Sequence, residues 1–209
     1  MIPRYLIIDD LIAHGIVPVL ASSDAVFDGT RGLWTEDDPV HPVLTCGRQK
    51  VEMETYVRQR PYPWLVVRLA KVVGTAPGLG DMLGDWMNQL EAGAAIRCAH
   101  DQAFSPVDVD DVASALIRLV QENCTGIFHV CGPRAMSRLE VLRLLAAEAR
   151  RYRAVSAQIV PCSIRDFDFA EPRPLDTSLS PRKLYAVIGH GCADMSAVCQ
   201  RAAARRYGS

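Results

Sequence analysis

The chain has 209 residues, 49% of them hydrophobic, so it can bury one substantial core. Its 23 basic residues nearly balance its 24 acidic residues, and a formal net charge of -1 excludes the strongly basic field of nucleic-acid-binding proteins. The seven cysteines are scattered and include no CxxC pair, which argues against a disulfide framework or a zinc ribbon. We therefore expect a cytoplasmic protein without a metal site and without a nucleic-acid or membrane partner.

The first part of the chain alternates between helical and strand patterns. Residues 1–14 carry a helical repeat of apolar side chains that Gly15 can end. Residues 16–21 form an apolar run that predicts a buried strand, in which Pro18 is tolerable only at a sheet edge or an irregularity. The following residues predict a loop over 27–42, a helix over 46–60 capped by Thr45, and a second buried strand over 64–70.

The same alternation continues to the end of the chain. Ser137 and Glu140 have the spacing of a helix capping box, and Asp108 can cap the helix before it. Strands are predicted over residues 96–99, 104–107, 126–131 and 158–162, and helices over 81–92, 109–121, 181–187 and 196–206, with one more after Ser137. Alternating strands and helices favour an α/β fold with a mainly parallel sheet.

Polar side chains follow the first predicted strand directly. Ser22, Ser23 and Asp24 lie at its carboxyl end, which is where α/β proteins bind ligands. Cys46 and Lys50 are four residues apart on the next helix, so we expect them to share a face that looks toward Ser23 and Asp24. Spacing alone favours a simpler interpretation, in which these serines and the aspartate cap turns and the lysine is solvated.

A family resemblance changes that balance. The stretch SSDAVFDGTRGLWTEDDPVHPVLTCGRQK resembles the S-[ST]-D-x-V-F-D-G, E-x-x-P-x-x-P and Y-G-x-x-K segment of extended short-chain dehydrogenases of the dTDP-4-dehydrorhamnose reductase-like branch. Four further stretches resemble the family in the same order: WLVVRLAKVVG, FSPVDVDDVASALIRLV, GIFHVCG with SRLEVLRLL, and RPLDTSLSPRKL. The resemblance covers nearly the whole chain.

The resemblance implies roles for four residues. Ser23 and Asp24 correspond to the pair that positions the substrate, and Lys50 to the lysine that holds the nicotinamide ribose. Cys46 stands where the family has its proton-donating tyrosine. A thiol can give a proton near neutral pH, but it is much shorter than a phenol, so either a water molecule bridges the gap or the acid function is lost.

The resemblance also implies an NAD or NADP cofactor, which this chain is expected to bind poorly by itself. The family opens with a strand, a G-x-x-G-x-x-G turn and a helix that holds the pyrophosphate. The chain begins instead at what resembles the helix before the Ser22 strand. Gly78 and Gly80 follow the wrong strand to replace that turn.

Ligand contacts on the substrate side are expected from two regions of the chain and from Arg173. The family places contacts to a nucleotide sugar around residues 73–80, which include Val73, and around residues 104–108. Arg173 lies in a stretch that resembles a late R-P motif, and its guanidinium could grip a diphosphate. An ion pair of Arg173 with Asp168 or Glu171 is an equally good interpretation.

The sequence therefore predicts a single α/β domain over residues 1–209. Residues 1–75 form the remaining part of a partial Rossmann-like parallel sheet, and residues 76–209 complete it and add a small substrate-binding lobe. Two functions stay open: a truncated or degenerate sugar-nucleotide reductase homologue, or a non-catalytic nucleotide-sugar-binding or regulatory subunit. Without earlier strands the strand over residues 16–21 has an open edge, so we expect self-association or a partner subunit there.

Overall fold

The structure, a computed structural model, describes residues 4–76 and 81–208. Helices and strands alternate in it along the chain, as the sequence predicts. The helices are α1 (Arg4–Ala13), α2 (Thr45–Arg58), α3 (Met82–Ala92), α4 (Val109–Gln121), α5 (Arg138–Ala149), α6 (Arg182–Ile188) and α7 (Met195–Tyr207). The strands are β1 (Val19–Ser23), β2 (Leu65–Leu69), β3 (Val72–Val73), β4 (Ile96–Ala99), β5 (Ala103–Phe104), β6 (Val107–Asp108), β7 (Gly126–Val130), β8 (Met136–Ser137) and β9 (Ile159–Cys162).

A three-stranded parallel sheet in the order β1-β2-β7 lies at the centre. The central strand β2 is buried on both faces because alternate side chains enter different cores. Val66 packs with α1 and α2 in one cluster, whereas Leu65 and Val67 pack with α4 and α6 in another. Such double coverage explains why β2 reads as a continuous apolar run. The predicted α/β class and parallel sheet are confirmed.

A second lobe packs beside this sheet. Strands β4 and β9 form a parallel pair, and their neighbours α3, α5 and α7 share the largest hydrophobic cluster. The short parallel pair β3 and β6 connects this lobe to the sheet. Strand β7 comes from the second part of the chain and completes the sheet of the first part. The division of the chain at residue 75 stays a prediction.

The first strand differs from its prediction in position and burial. It begins at Val19 rather than at residue 16, and Ile16, Val17 and Val19 are 51%, 41% and 46% exposed. The reason is its place at the sheet edge, where β2 is its neighbour on one side and the other side is free of any described strand. Pro18 is accommodated as the sequence requires, because its carbonyl accepts from Leu65 while it precedes the strand.

The cap of α2 also differs from its prediction. Thr45 is the first residue of the helix, and Leu44 before it supplies no side-chain cap. The amide and hydroxyl of Thr45 donate instead to the Glu171 carboxylate, at 2.9 and 2.6 Å. A residue 126 positions away thus satisfies the helix start, which no local pattern could reveal.

A buried ion pair holds α2 against the sheet. Arg68 of β2 and Glu54 of α2 are 1% and 2% exposed and are joined by two hydrogen bonds of 2.8 and 3.0 Å. Ser22 of β1 donates to the same carboxylate at 2.5 Å. His129 of β7 lies 3.4 Å from the guanidinium, and burial together with the Arg68 charge lowers its pKa to about 3. The pair therefore ties α2 to all three strands.

None of the helices in the described residues is long and apolar enough to cross a membrane. All seven cysteines are free in the structure. Within the same residues there is no cluster of three or more potential metal ligands.

Replacing Glu54 with glutamine should strongly destabilise the fold. Glu54→Gln keeps the shape of the side chain but leaves the Arg68 charge buried without a counter-charge, a loss of about 3–5 kcal/mol. Urea denaturation measures the free energy of unfolding. The matched control is Glu122→Gln, which removes the exposed ion pair with Arg118 and should cost about 0.5 kcal/mol or less. Equal losses in both variants would contradict the role of the buried pair.

Candidate functional site

The site forms where β1 ends and α2 begins. Ser23 caps the short 3-10 helix Asp24–Val26, its hydroxyl accepting from the amide of Ala25. Helix α2 comes unusually close to this turn, because a Cβ atom at Gly47 would overlap the carbonyl oxygen of Ala25. Glycine at this position therefore lets the first turn of α2, with Cys46, approach the strand end.

Asp24 is the best-anchored polar group of the site. Its carboxylate accepts hydrogen bonds from the hydroxyls of Ser23 and Thr177, both at 2.9 Å. Burial raises the pKa of Asp24, while these hydrogen bonds and the nearby charge of Lys71 act in the opposite direction. Thr177 lies on the loop before α6, so the C-terminal part of the chain helps to orient this carboxylate.

Two adjoining cavities open at this point. The smaller one, about 220 Å³, brings together Asp24 and Cys46 with Thr177. The larger one, about 560 Å³, lies beside the second lobe and is lined by the aromatic rings of Trp86, Phe167 and Phe169. Four residues line both cavities and so mark their junction: Lys71, Gln102, Arg138 and Arg173.

The larger cavity is strongly positive. Lys71, Arg97, Arg138 and Arg173 line it, and no carboxylate does among the described residues. Arg138 is half-buried, and burial lowers its pKa, with the charge of Arg173 acting in the same direction. An anionic ligand would relieve this repulsion. Phe169 lies under the Arg173 guanidinium, 4.8 Å from it, and offers an aromatic face.

The structure separates Cys46 from Lys50, although they are one helical turn apart. Cys46 lines the smaller cavity with Asp24, as expected. The Lys50 ammonium group points to the sheet edge, where it donates to the carbonyl of Ala21 at 2.7 Å, and Lys50 lines neither cavity. Of the two side chains that were expected to face Ser23 and Asp24, only Cys46 shares a cavity with Asp24.

The two predicted substrate residues fare differently. Arg173 lines both cavities, and its alternative partner Glu171 pairs with Arg48 instead. Val73 is buried in the large hydrophobic cluster and lines neither cavity, so the structure does not support a side-chain contact from it. Residues 77–80 of the same predicted contact region lie outside the described residues.

The sequence reasoning missed Lys71, Arg138 and Thr177. A lysine directly after an apolar strand was a usable signal for Lys71, because carboxyl ends of parallel strands carry ligand sites. Arg138 begins a well-capped helix, and Thr177 sits in a loop, so neither had a distinguishing pattern.

The residue that the resemblance assigns to the cofactor does not line the site. Lys50 is the residue that the resemblance assigns to the cofactor, and its ammonium group is held at the edge of the sheet.

A family profile described as the RmlD substrate binding domain matches residues 10–205. The chain belongs to this family. It is 32% identical over 120 residues to the probable low-salt glycan biosynthesis reductase of Haloferax volcanii, covering 56% of this chain and 40% of that protein. It is 28% identical over 179 residues to methionine adenosyltransferase 2 subunit beta of Xenopus laevis, covering 81% of this chain and 52% of that protein.

Solved structures show the fold that the family shares. A dTDP-4-dehydrorhamnose reductase from Clostridium acetobutylicum superposes with a TM-score of 0.81 at 22% identity, over 97% of this chain and 69% of that one. The Bordetella bronchiseptica enzyme WbmG, solved with NAD and UDP, gives a TM-score of 0.77 at 19% identity, over 98% of this chain and 65% of that one. The chain spans about half the length of the curated relatives it matches.

Replacing Asp24 with asparagine should raise stability at neutral pH. Because burial raises the pKa of Asp24 above its value in the unfolded chain, about 3.9, ionised Asp24 destabilises the fold at pH values above the folded pKa. That cost disappears as the pH falls below the unfolded value. Urea denaturation between about pH 3.5 and 7.5 should therefore show an advantage of Asp24→Asn that grows with pH.

The exposed Asp37 provides the control, since Asp37→Asn should track the wild-type curve. A loss of stability in Asp24→Asn that is the same at every pH would mean that its hydrogen bonds outweigh its desolvation.

Proposed function

We propose that this protein binds a nucleotide-linked sugar across the two cavities, as a reductase-like member of its family. The observation that carries the proposal is the larger cavity, which combines cationic side chains with aromatic rings and has no carboxylate among the described residues. Guanidinium groups match phosphate oxygens, and aromatic faces can stack on a base. The volume of about 560 Å³ lies in the usual range for small-molecule sites.

The sugar end of the ligand would occupy the smaller cavity. Asp24 and Thr177 there offer a hydrogen-bonding pair for sugar hydroxyls, and Cys46 faces the same space. Ser23 acts through Asp24, which it orients. In the full family reaction a nicotinamide cofactor reduces a keto sugar while a tyrosine gives the proton. Cys46 stands at the position of that tyrosine, and its thiol is much shorter than a phenol.

A second function is a nucleotide-sugar-binding or regulatory subunit without catalysis. Two observations favour it: Cys46 replaces the expected tyrosine, and the Lys50 ammonium group is held by Ala21 outside the cavities. The likeness to methionine adenosyltransferase 2 subunit beta, a protein whose name describes a subunit, supports the same interpretation. The cytoplasmic location stays a prediction under either function.

Binding of a nucleotide sugar should depend on Arg173. Isothermal titration of UDP-glucose and dTDP-glucose is expected to show saturable binding, and Arg173→Gln should weaken it about tenfold or more by removing a charge-assisted contact. The matched control is Arg165→Gln, eight residues earlier, because Arg165 is exposed and lines neither of the two cavities. If neither UDP-glucose nor dTDP-glucose binds, the proposal is contradicted.

Titration of NADPH in the same experiment separates the two functions. We expect no saturable binding of NADPH to this chain, and that result would favour the non-catalytic subunit. Micromolar NADPH affinity would favour the reductase.

We also propose that the free edge of β1 is an interface with another polypeptide. The carbonyl of Pro18 points toward β2, where it accepts from the amide of Leu65. Because backbone groups alternate in direction along a strand, those of Val19 and Ala21 point to the free side. Beside this edge lies an apolar groove of about 480 Å³ that includes Val17, Val19 and Val120. The opposite sheet edge is closed differently: on β7 the amide of His129 donates to Glu36, and the carbonyl of Ile127 accepts from Lys183.

A charge at the β1 edge should therefore reduce self-association. Val19→Lys places a solvated cation on the strand, a change that blocks edge-to-edge pairing. Sedimentation velocity should show a concentration-dependent oligomer for the wild type and a monomer for the variant. Val43→Lys is the control, because Val43 is also exposed but lies in the loop before α2. A wild-type protein that stays monomeric at all concentrations would contradict self-association through this edge.

A further inference from the structure

Lys71 stands out because it lies at the junction of the two cavities. It follows β2 directly, is exposed, and lines both spaces together with Gln102, Arg138 and Arg173. Neither the motif spacing nor the family resemblance singled it out. Any ligand that extends from the aromatic cavity to Asp24 and Cys46 must pass these side chains.

The junction holds positive charge that its own residues do not neutralise. Within the described part of the chain, the Lys71 ammonium group forms no hydrogen bond or ion pair. Arg138 has a weak contact of 3.4 Å to the amide oxygen of Gln102 and repels Arg173. Asp24 is the one described carboxylate that lines either cavity, and it is already bonded to Ser23 and Thr177.

We propose that Lys71, with Arg138 and Arg173, binds the diphosphate that joins the nucleoside and the sugar of the ligand. This inference rests on the proposed function. A diphosphate is the part of such a ligand that carries its negative charge, and it lies between two parts that fit the two cavities. Lys71 contributes a compact point charge that contacts a phosphate oxygen, while the two arginines supply planar hydrogen-bond donors.

The position of Lys71 also links phosphate binding to the sugar end. Burial raises the pKa of Asp24, and the Lys71 charge acts on the same carboxyl group in the opposite direction. The same Lys71 charge would attract a bound diphosphate. Lys71 is therefore expected to favour ligands with a phosphate next to the sugar over neutral glycosides.

Cys46 provides a reporter for this charge without any nucleotide. It is the exposed cysteine of the chain, and it lines the smaller cavity with Lys71. Iodoacetate is an anion and iodoacetamide is neutral, while both alkylate a thiolate with loss of iodide. The ratio of their rates at Cys46, read by peptide mass spectrometry, reports the local positive potential.

The decisive variant is Lys71→Met, which keeps the length of the side chain and removes its charge. It should lower the iodoacetate-to-iodoacetamide rate ratio at Cys46 several-fold and weaken UDP-glucose binding roughly ten- to hundredfold. In the wild type, bound inorganic pyrophosphate should slow the alkylation of Cys46, and Lys71→Met should abolish this protection. Lys71→Arg should retain all three properties in large part. The control is Arg150→Met, which removes one positive charge at the far end of α5, about 18 Å from Arg138.

The outcomes distinguish this inference from the proposed function. Tight UDP-glucose binding that Lys71→Met leaves unchanged would overturn the role of Lys71 and leave the function standing. Pyrophosphate protection that depends on Lys71, without any binding of UDP-glucose, would support the anion site and overturn the proposed ligand. An unchanged reagent ratio in Lys71→Met, or equal changes in Arg150→Met, would contradict the local charge on which the inference rests.

Discussion

The ion pair between Arg68 and Glu54 is the interaction on which the arrangement of the site depends. Two buried charges are costly to desolvate, so they persist where geometry and further hydrogen bonds compensate. Here the guanidinium makes two hydrogen bonds to the carboxylate, and Ser22 adds another. Because Glu54 lies on α2 and Arg68 on β2, the pair fixes the rotation of the helix over the sheet. Cys46, two turns earlier on α2, is placed at the strand end as a consequence.

The site itself is made by two parts of the chain with opposite electrostatic character. The strand end supplies the Asp24 carboxylate, held by Ser23 and by Thr177. The second lobe supplies arginines that line a cavity to which the described residues contribute no carboxylate. A ligand with a polar, uncharged end and an anionic middle satisfies both parts at once. This separation of charge is a stronger argument for a nucleotide-linked sugar than the volume of either cavity.

Much of the fold was predictable because local patterns determine it. The capping box at Ser137 and Glu140, the cap at Asp108 and the apolar run of β2 all appear where the sequence indicates. The misplaced features depend on distant residues. Thr45 bonds to a glutamate far along the chain, and the exposure of Val19 follows from its place at a sheet edge.

The candidate site shows the same division. The stretch from Ser22 to Lys50 was identified through its family resemblance, since its spacing alone favoured turn caps and a solvated lysine, and the structure does bring Asp24 and Cys46 to one cavity. Arg138 was missed because the first residue of a well-capped helix carries no distinctive pattern, whereas the place of Lys71 just after a buried strand was a signal that went unused. Arg68 carried a signal that could have been used: a charge inside a buried strand requires a buried partner, and Glu54 is that partner.

Lys50 connects the sheet edge to the site. Its ammonium group occupies the carbonyl of Ala21, a backbone acceptor on the free side of β1 that an added strand would use. An added strand would compete with this ammonium group for the Ala21 carbonyl oxygen and would displace it by taking the lone pair that faces the edge. If the ammonium group is displaced, the Lys50 side chain can turn toward the strand end, because Lys50 lies one helical turn from Cys46 on α2. Occupation of the edge and availability of Lys50 to the site are thus coupled through a single hydrogen bond.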